Sequence, residues 1–103
     1  MRRRMKDEWG SGAETSKALR LEGRVQGVGF RMWAARTAKA LGVRGWVRNL
    51  PDGAVEIHVA ARSDTLEEMK ARLGEGPSAA RVERVIELGE GMALPSSGFE
   101  IRR

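Results

Sequence analysis

Apolar and polar residues alternate along ALRLEGRV (residues 18–25), with Leu19, Leu21 and, past a glycine, Val25 in one phase. That two-residue period predicts a strand. The period then lengthens. In FRMWAARTAKALG, Phe30, Ala34, Ala38 and Leu41 form an apolar stripe at helical spacing, alanine is frequent, and Gly42 is placed to stop the helix. VRGWVRN and AVEIHVA alternate again around LPDG, whose Pro, Asp and Gly suit a turn. These two runs predict a β-hairpin with Val55, Ile57 and Val59 on one face. SDTLEEMKARLGEG returns to the helical period with Leu66, Met69 and Leu73. Asp64 with Glu67 reads as a capping box there, and Gly74 or Gly76, followed by Pro77, ends the helix. RVERVIEL predicts a strand with a bulge, because Val82 and Val85 break the two-residue period. GFEIRR predicts a short last strand with Phe99 and Ile101 on one face.

The elements run β-α-β-β-α-β with one extra terminal strand. This order predicts an α+β, ferredoxin-like sandwich: a mostly antiparallel sheet with two helices on one face. Residues 1–16 are polar and contain glycine without sustained periodicity, and read as a flexible N-terminal tail to a domain spanning 17–103. Many activities share this fold, so function has to be sought in a site.

Composition narrows the search. A chain of 103 residues suits one domain with a single core. The absence of cysteine removes disulfides, thiolate nucleophiles and Cys-built zinc sites, and fits a cytoplasmic location. No apolar run approaches the roughly 20 residues of a membrane span, and the N-terminus lacks the apolar core of a secretory signal, so no membrane partner is expected. The formal net charge of +5 invites a nucleic-acid reading. Residues 1–16, however, carry only +1 of it, and the remaining +4 is spread among glutamates. No dense Lys/Arg block with interleaved aromatics appears, so no nucleic-acid partner is expected. A mildly basic chain suits a small anionic substrate equally well. Nothing marks an oligomer interface, and a monomer is expected.

The first strand and first helix are joined through GRVQGVGFR (residues 23–31), where Gly23, Gly27 and Gly29 precede Arg31. A helix start presents unpaired N–H groups and about half a positive charge. Glycines permit the positive φ values that turn successive N–H groups inward to form an anion-binding nest. The stretch fits neither G-x-x-x-x-G-K-[ST] nor G-x-G-x-x-G. A cation at a helix N-terminus is unfavourable by about 0.3–1 kcal/mol, and a bound anion reverses the sign. On spacing alone the stretch reads equally as a strand-to-helix turn with a solvated arginine or as an anion site. Asn49, taken alone, reads first as the start of the turn, since an Asn before LPDG suits that place.

VQGVGFR resembles the signature of the acylphosphatase family. The wider pattern, an aliphatic residue and then x-G-x-V-Q-G-V-x-[FM]-R, is met at every position from Leu21 to Arg31. The family's second pattern also appears: Gly45-Trp46-Val47-Arg48-Asn49, then Gly53 and Val55, with Ala61 where the pattern ends in Gly. GPSAARVERV after the second helix is typical as well. The resemblance covers roughly residues 17–103. It implies that backbone N–H groups of Gln26, Gly27, Val28, Gly29, Phe30 and Arg31 cradle a phosphoryl group, that Arg31 binds its oxygens, and that Asn49 holds the attacking water. Arg31 and Asn49 are then the catalytic residues, and the substrate is a small acyl phosphate cleaved to carboxylate and inorganic phosphate.

The rest of the inventory agrees with that chemistry. The leaving carboxylate has a conjugate acid of pKa about 4 and departs without a proton. No cofactor or metal is expected, since no carboxylate pair or H-x-x-x-H spacing suggests a metal site. The single histidine, His58, lies opposite in phase to Val55, Ile57 and Val59, and reads as a surface or sheet-face residue without catalytic duty. Asp52 and Asp64 fit a turn and a cap; Trp33 and Trp46 fit packing positions. Two rivals remain. One is a non-catalytic anion- or RNA-binding module on the same fold, which would want more aromatics on its strands. The other is one domain of a carbamoyl-transfer enzyme, against which the chain's end at Arg103 is set.

Overall fold

The computed structural model describes residues 13–103. The first alternating run becomes β1 (Glu14–Arg24), which pairs antiparallel with β3 (Val55–Arg62) on one side and β4 (Arg81–Gly89) on the other. β1 starts earlier than the sequence suggests. Glu14, Thr15 and Ser16, expected in the tail, pair with Arg62, Ala61 and Ala60. These three residues are polar and carry no apolar period, so the length of β3 is what draws them into the sheet. The remainder of the expected tail, residues 1–12, lies outside the described residues. β2 (Arg44–Asn49) forms the hairpin with β3, and β5 (Phe99–Arg102) lies parallel to β2, giving the order β4-β1-β3-β2-β5.

Helices α1 (Phe30–Leu41) and α2 (Ser63–Glu75) cover one face of this sheet. Leu19, Leu21, Val47, Val55, Ile57 and Val59 from the strands meet Phe30, Ala34, Ala38, Leu66, Met69 and Leu73 from the helices in one buried core. The alternating and helical patterns thus converge on one layer, and the expected ferredoxin-like α+β sandwich with its extra C-terminal strand is present. The bulge expected in β4 is also present. Glu22 faces Arg84 and Gly23 faces Val82, so Glu83 is the extra residue and both Val82 and Val85 reach the core. Ala61 is an ordinary buried strand residue packed in the core, and among the described non-glycine residues only Ala93 has positive φ. No helix among the described residues is long and apolar enough to cross a membrane.

The expected capping box of the second helix does not form. β3 runs into α2 without a loop, so Arg62 is both the last strand residue and the helix N-cap. Asp64 consequently falls inside the first turn, where it accepts from the Arg62 guanidinium (3.0 Å) and the Thr65 N–H (2.8 Å). Its charge still complements the helix dipole.

β4 and β5 are opposite edges, so the segment between them must cross the whole sheet. It crosses on the face away from the helices. Gly91 N–H donates to Ser16 Oγ (3.0 Å), Met92 N–H to His58 Nδ1 (2.9 Å), Trp46 Nε1–H to Met92 O (2.8 Å), and Arg44 to Pro95 O (2.6 Å). This strap buries His58 to 4% exposure, so the histidine is a sheet-face residue but not a surface one. With Nδ1 accepting from Met92, Nε2 carries the proton and donates to Glu56 Oε2 (2.7 Å). The ring stacks on Trp46 with centroids 4.1 Å apart.

Burial pushes the Glu56 carboxyl up, but the hydrogen bonds from His58 and Arg48 outweigh it and hold the group below its ordinary value. Because the folded carboxyl titrates lower than the unfolded one, its stabilisation is complete above the unfolded pKa of about 4.3 and is lost as pH falls through the folded value. Glu56→Gln should therefore cost about 1–3 kcal/mol at neutral pH. In urea melts the difference from wild type should shrink below about pH 4. A deficit that does not change with pH would show that ionisation of Glu56 plays no part.

Candidate active site

β1 and β2 run parallel on either side of β3, so their C-terminal ends open at the same edge of the sheet. β1 leaves through the glycine loop into α1, and β2 ends at Asn49. A cavity of about 310 Å³ lies between them, lined by Val25, Gln26, Gly27, Gly29, Phe30, Arg31, Met32, Asn49 and Ile101. The fold therefore brings Asn49 to the loop from a separate strand. Of the other residues singled out in the sequence, Val28 packs against the core rather than lining the cavity. Phe30, 2% exposed, anchors the loop from below.

The loop's shape comes from its glycines. Gly27 (φ 75°) and Gly29 (φ 76°) are left-handed. A Cβ at either position would meet nothing within 4 Å, so backbone conformation and not crowding demands glycine. Gly29 is also the N-cap of α1 and supplies no capping side chain, and the first turn contains no acidic residue. Trp33 N–H closes the first turn onto Gly29 O at 3.0 Å. The amides of Phe30, Arg31 and Met32 therefore precede the first intrahelical bond. Arg31 adds a full charge to this partial positive end, and among the described residues no Asp or Glu lines the cavity to offset it.

On the far wall, Asn49 Oδ1 is buried with no hydrogen-bond partner. Leaving such an acceptor unmatched costs about 1–3 kcal/mol. The turn does not use it. Leu50 N–H donates to Ala54 O (2.8 Å), Gly53 N–H to Leu50 O (3.1 Å) and Ala54 N–H to Asp52 Oδ1 (3.1 Å). Asp52 has the turn role expected of it, and the Arg20 guanidinium and the Ala54 N–H hold its carboxyl below the ordinary range. Asn49 is thus unspent by the turn, and the soft χ2 of an Asn lets its carboxamide rotate toward the cavity at little cost.

Sequence reasoning missed the side chain of Gln26. Its Nε2 donates to both Leu50 O and Ala54 O, each at 2.8 Å. β3 separates β1 from β2, so no strand pairing links the loop directly to the Asn49 turn. The Gln26 amide does so, using both of its N–H donors. The contact depends on where the turn after β2 lies relative to the loop, and no local pattern in the sequence encodes it. The cavity's two exposed apolar residues, Met32 and Ile101, were also not singled out as site residues.

Trp33 packs on Phe30 with ring centroids 5.3 Å apart, and Trp46 lies on the strap side of the sheet. Neither lines this cavity, nor does His58. Among the described residues no group of three or more potential metal ligands is clustered.

Fold and site together define a ferredoxin-like domain with an electropositive pocket at a helix start. Comparison with known proteins makes the class specific. The acylphosphatase family profile matches residues 17–101. An acylphosphatase of Rhodopseudomonas palustris is 51% identical over 74 residues, covering 72% of this chain and 75% of the relative. One from Salinibacter ruber is 43% identical over 93 residues, covering 90% of this chain and 98% of the relative. The structure of an acylphosphatase from Coxiella burnetii superposes with a TM-score of 0.77 at 34% identity, covering 86% of this chain and 93% of that one. The chain belongs to the acylphosphatase family and is a hydrolase of that type.

Gln26→Glu tests the cross-link. An ionised carboxylate would face two carbonyl oxygens where an amide now donates to them, and stability should drop by about 1–3 kcal/mol at neutral pH. Repulsion raises the folded-state pKa of the new carboxyl, so the deficit is present above that pKa and is relieved as pH falls and the group becomes a donor. Denaturant melts of the variant that match wild type at neutral pH would show that the Gln26 bonds contribute nothing.

Proposed function

We propose that the protein hydrolyses the carboxyl–phosphate bond of small acyl phosphates. The phosphoryl group lies in the loop, its oxygens taking the amides of Gln26 to Arg31 and the guanidinium of Arg31. Asn49 holds the attacking water in line with the leaving carboxylate. The observation that carries this reading is the pairing of an uncapped, uncompensated positive helix start with an unsatisfied Asn amide across one cavity. A phosphoryl dianion supplies the missing negative charge, and a water supplies the missing donor for Oδ1.

The step balances without further groups. The water oxygen forms a bond to phosphorus, and the bond from phosphorus to the acyl oxygen breaks with its electron pair leaving on the carboxylate. A phosphoryl oxygen of the substrate takes the water's proton, so the products are carboxylate and dihydrogen phosphate. Because the leaving group is a weak base, of pKa about 4 as its acid, no general acid is required. Catalysis then rests on positioning and on charge stabilisation, which phosphoryl transfer chiefly needs. Arg suits the task through its planar fork, which grips two phosphate oxygens at once.

The RNA-binding alternative would use the sheet face away from the helices. The strand aromatic there, Trp46, is 5% exposed, stacked on His58 and covered by the strap. It offers no open stacking platform for a base.

Purified protein given benzoyl phosphate with EDTA present should release phosphate, with inorganic phosphate as a competitive inhibitor. Arg31→Ala should lower kcat/KM by about 100-fold to 1,000-fold, Arg31→Lys should recover little of it, and Asn49→Ala should reduce kcat by a similar factor. Wild-type protein without turnover would contradict the proposal. Activity removed by EDTA would contradict its metal independence, and full activity in Arg31→Ala would contradict the role of the loop.

A further inference from the structure

Among the described residues, four large apolar side chains are strongly exposed: Met32 (58%), Leu88 (51%), Met92 (69%) and Ile101 (46%). Two of the four, Met32 and Ile101, line the same cavity. They reach it from separate elements. Met32 lies in the first turn of α1, beside Arg31. Ile101 lies on β5 opposite Val47, and so on the helix-facing side of the sheet, as Phe99 does. Phe99 is covered, with 8% exposure, whereas Ile101 lies open at the cavity. Among the described residues Arg31 is the only charged one in the lining, and the remaining polar lining belongs to the glycine loop and Asn49. The comparable cavity on the strap side differs: His58, Glu56 and Trp46 there are already hydrogen-bonded to one another or to the strap.

We infer that Met32 and Ile101 form an apolar shelf for the acyl group, so that the substrates taken are acyl phosphates with hydrocarbon chains rather than very short or doubly anionic ones. This rests on the acyl phosphate reading above and narrows it. Once Arg31 and the loop amides are matched by the phosphoryl group, no other charged side chain among the described lining residues is left to hold a second anion. A hydrocarbon chain covers apolar surface that is otherwise in water. Methionine, flexible and polarizable, adapts to chains of different shape. The shelf is half open, so each methylene laid on it should contribute about half the logarithmic gain of full burial, or roughly twofold.

The test is the kcat/KM series for acetyl, butanoyl, pentanoyl and hexanoyl phosphate, with glutaryl phosphate as the counterpart of pentanoyl phosphate that carries a second anionic group. The carboxylates released along the alkanoyl series have nearly equal basicity, so the slope reports the chain and not the leaving group. In wild type the series should rise by about tenfold from acetyl to hexanoyl, chiefly through KM, and glutaryl phosphate should fall below pentanoyl phosphate. The double variant Met32→Ser, Ile101→Ser should flatten the series. Leu88→Ser, which changes an exposed apolar residue that does not line the cavity, should retain the wild-type slope. Circular dichroism confirms that each variant is folded. A flat or falling wild-type series, a slope that survives the double substitution, or a preference for glutaryl phosphate would overturn the shelf. Failure to hydrolyse any acyl phosphate would instead overturn the hydrolase reading, and the shelf with it.

Discussion

Positive charge left without a carboxylate to answer it, at the start of α1, is the constraint on which the site depends. Several of the described acidic side chains are paired away from the loop. Glu22 and Asp52 pair with Arg20, Glu56 with Arg48, and Glu87 with Lys17 and Lys70. Most of these are surface pairs of small energetic value, yet together they keep carboxylates away from the loop. The left-handed glycines and the lack of a capping side chain would be defects in a purely structural turn. They become consistent once an anion is the intended capping group.

The two faces of the sheet divide the remaining work. The helix face holds the core and, at its edge, the cavity. The opposite face is locked by the strap, through His58, Trp46 and Arg44. This locking bears on the site indirectly, because Trp46, Arg48 and Asn49 belong to the same short strand. Trp46 is fixed by stacking and by its bond to the strap, and Arg48 by Glu56, so Asn49 is delivered from a strand with little freedom. Gln26 then ties the loop to the turn that follows. The proposed alignment of a water with a phosphoryl group requires that these elements keep their spacing.

Periodicity made most of the architecture legible, because the core is a single layer and Leu19, Leu21, Phe30, Ala34, Val55, Ile57 and Leu66 all point at it. The two motifs named the loop and Asn49. What stayed hidden depends on contacts that local pattern does not encode. Glu14 to Ser16 are strand only because β3 is long enough to pair with them. Asp64 fails to cap because β3 leaves no residue between strand and helix. His58 is buried by a segment whose path follows from β4 and β5 being opposite edges, a fact of topology. The Gln26 cross-link and the meeting of Met32 with Ile101 required the three-dimensional placement of distant elements.

The central claim is that the loop amides and Arg31 together hold a phosphoryl group. Titration of ¹⁵N-labelled protein with inorganic phosphate tests it most directly. The account predicts saturable shifts that are largest at the amides of Gly27 to Arg31 and at the Arg31 side chain, with a smaller response at the Asn49 carboxamide. Shifts spread over the basic surface, or concentrated on the strap side around Trp46 and Arg102, would contradict it.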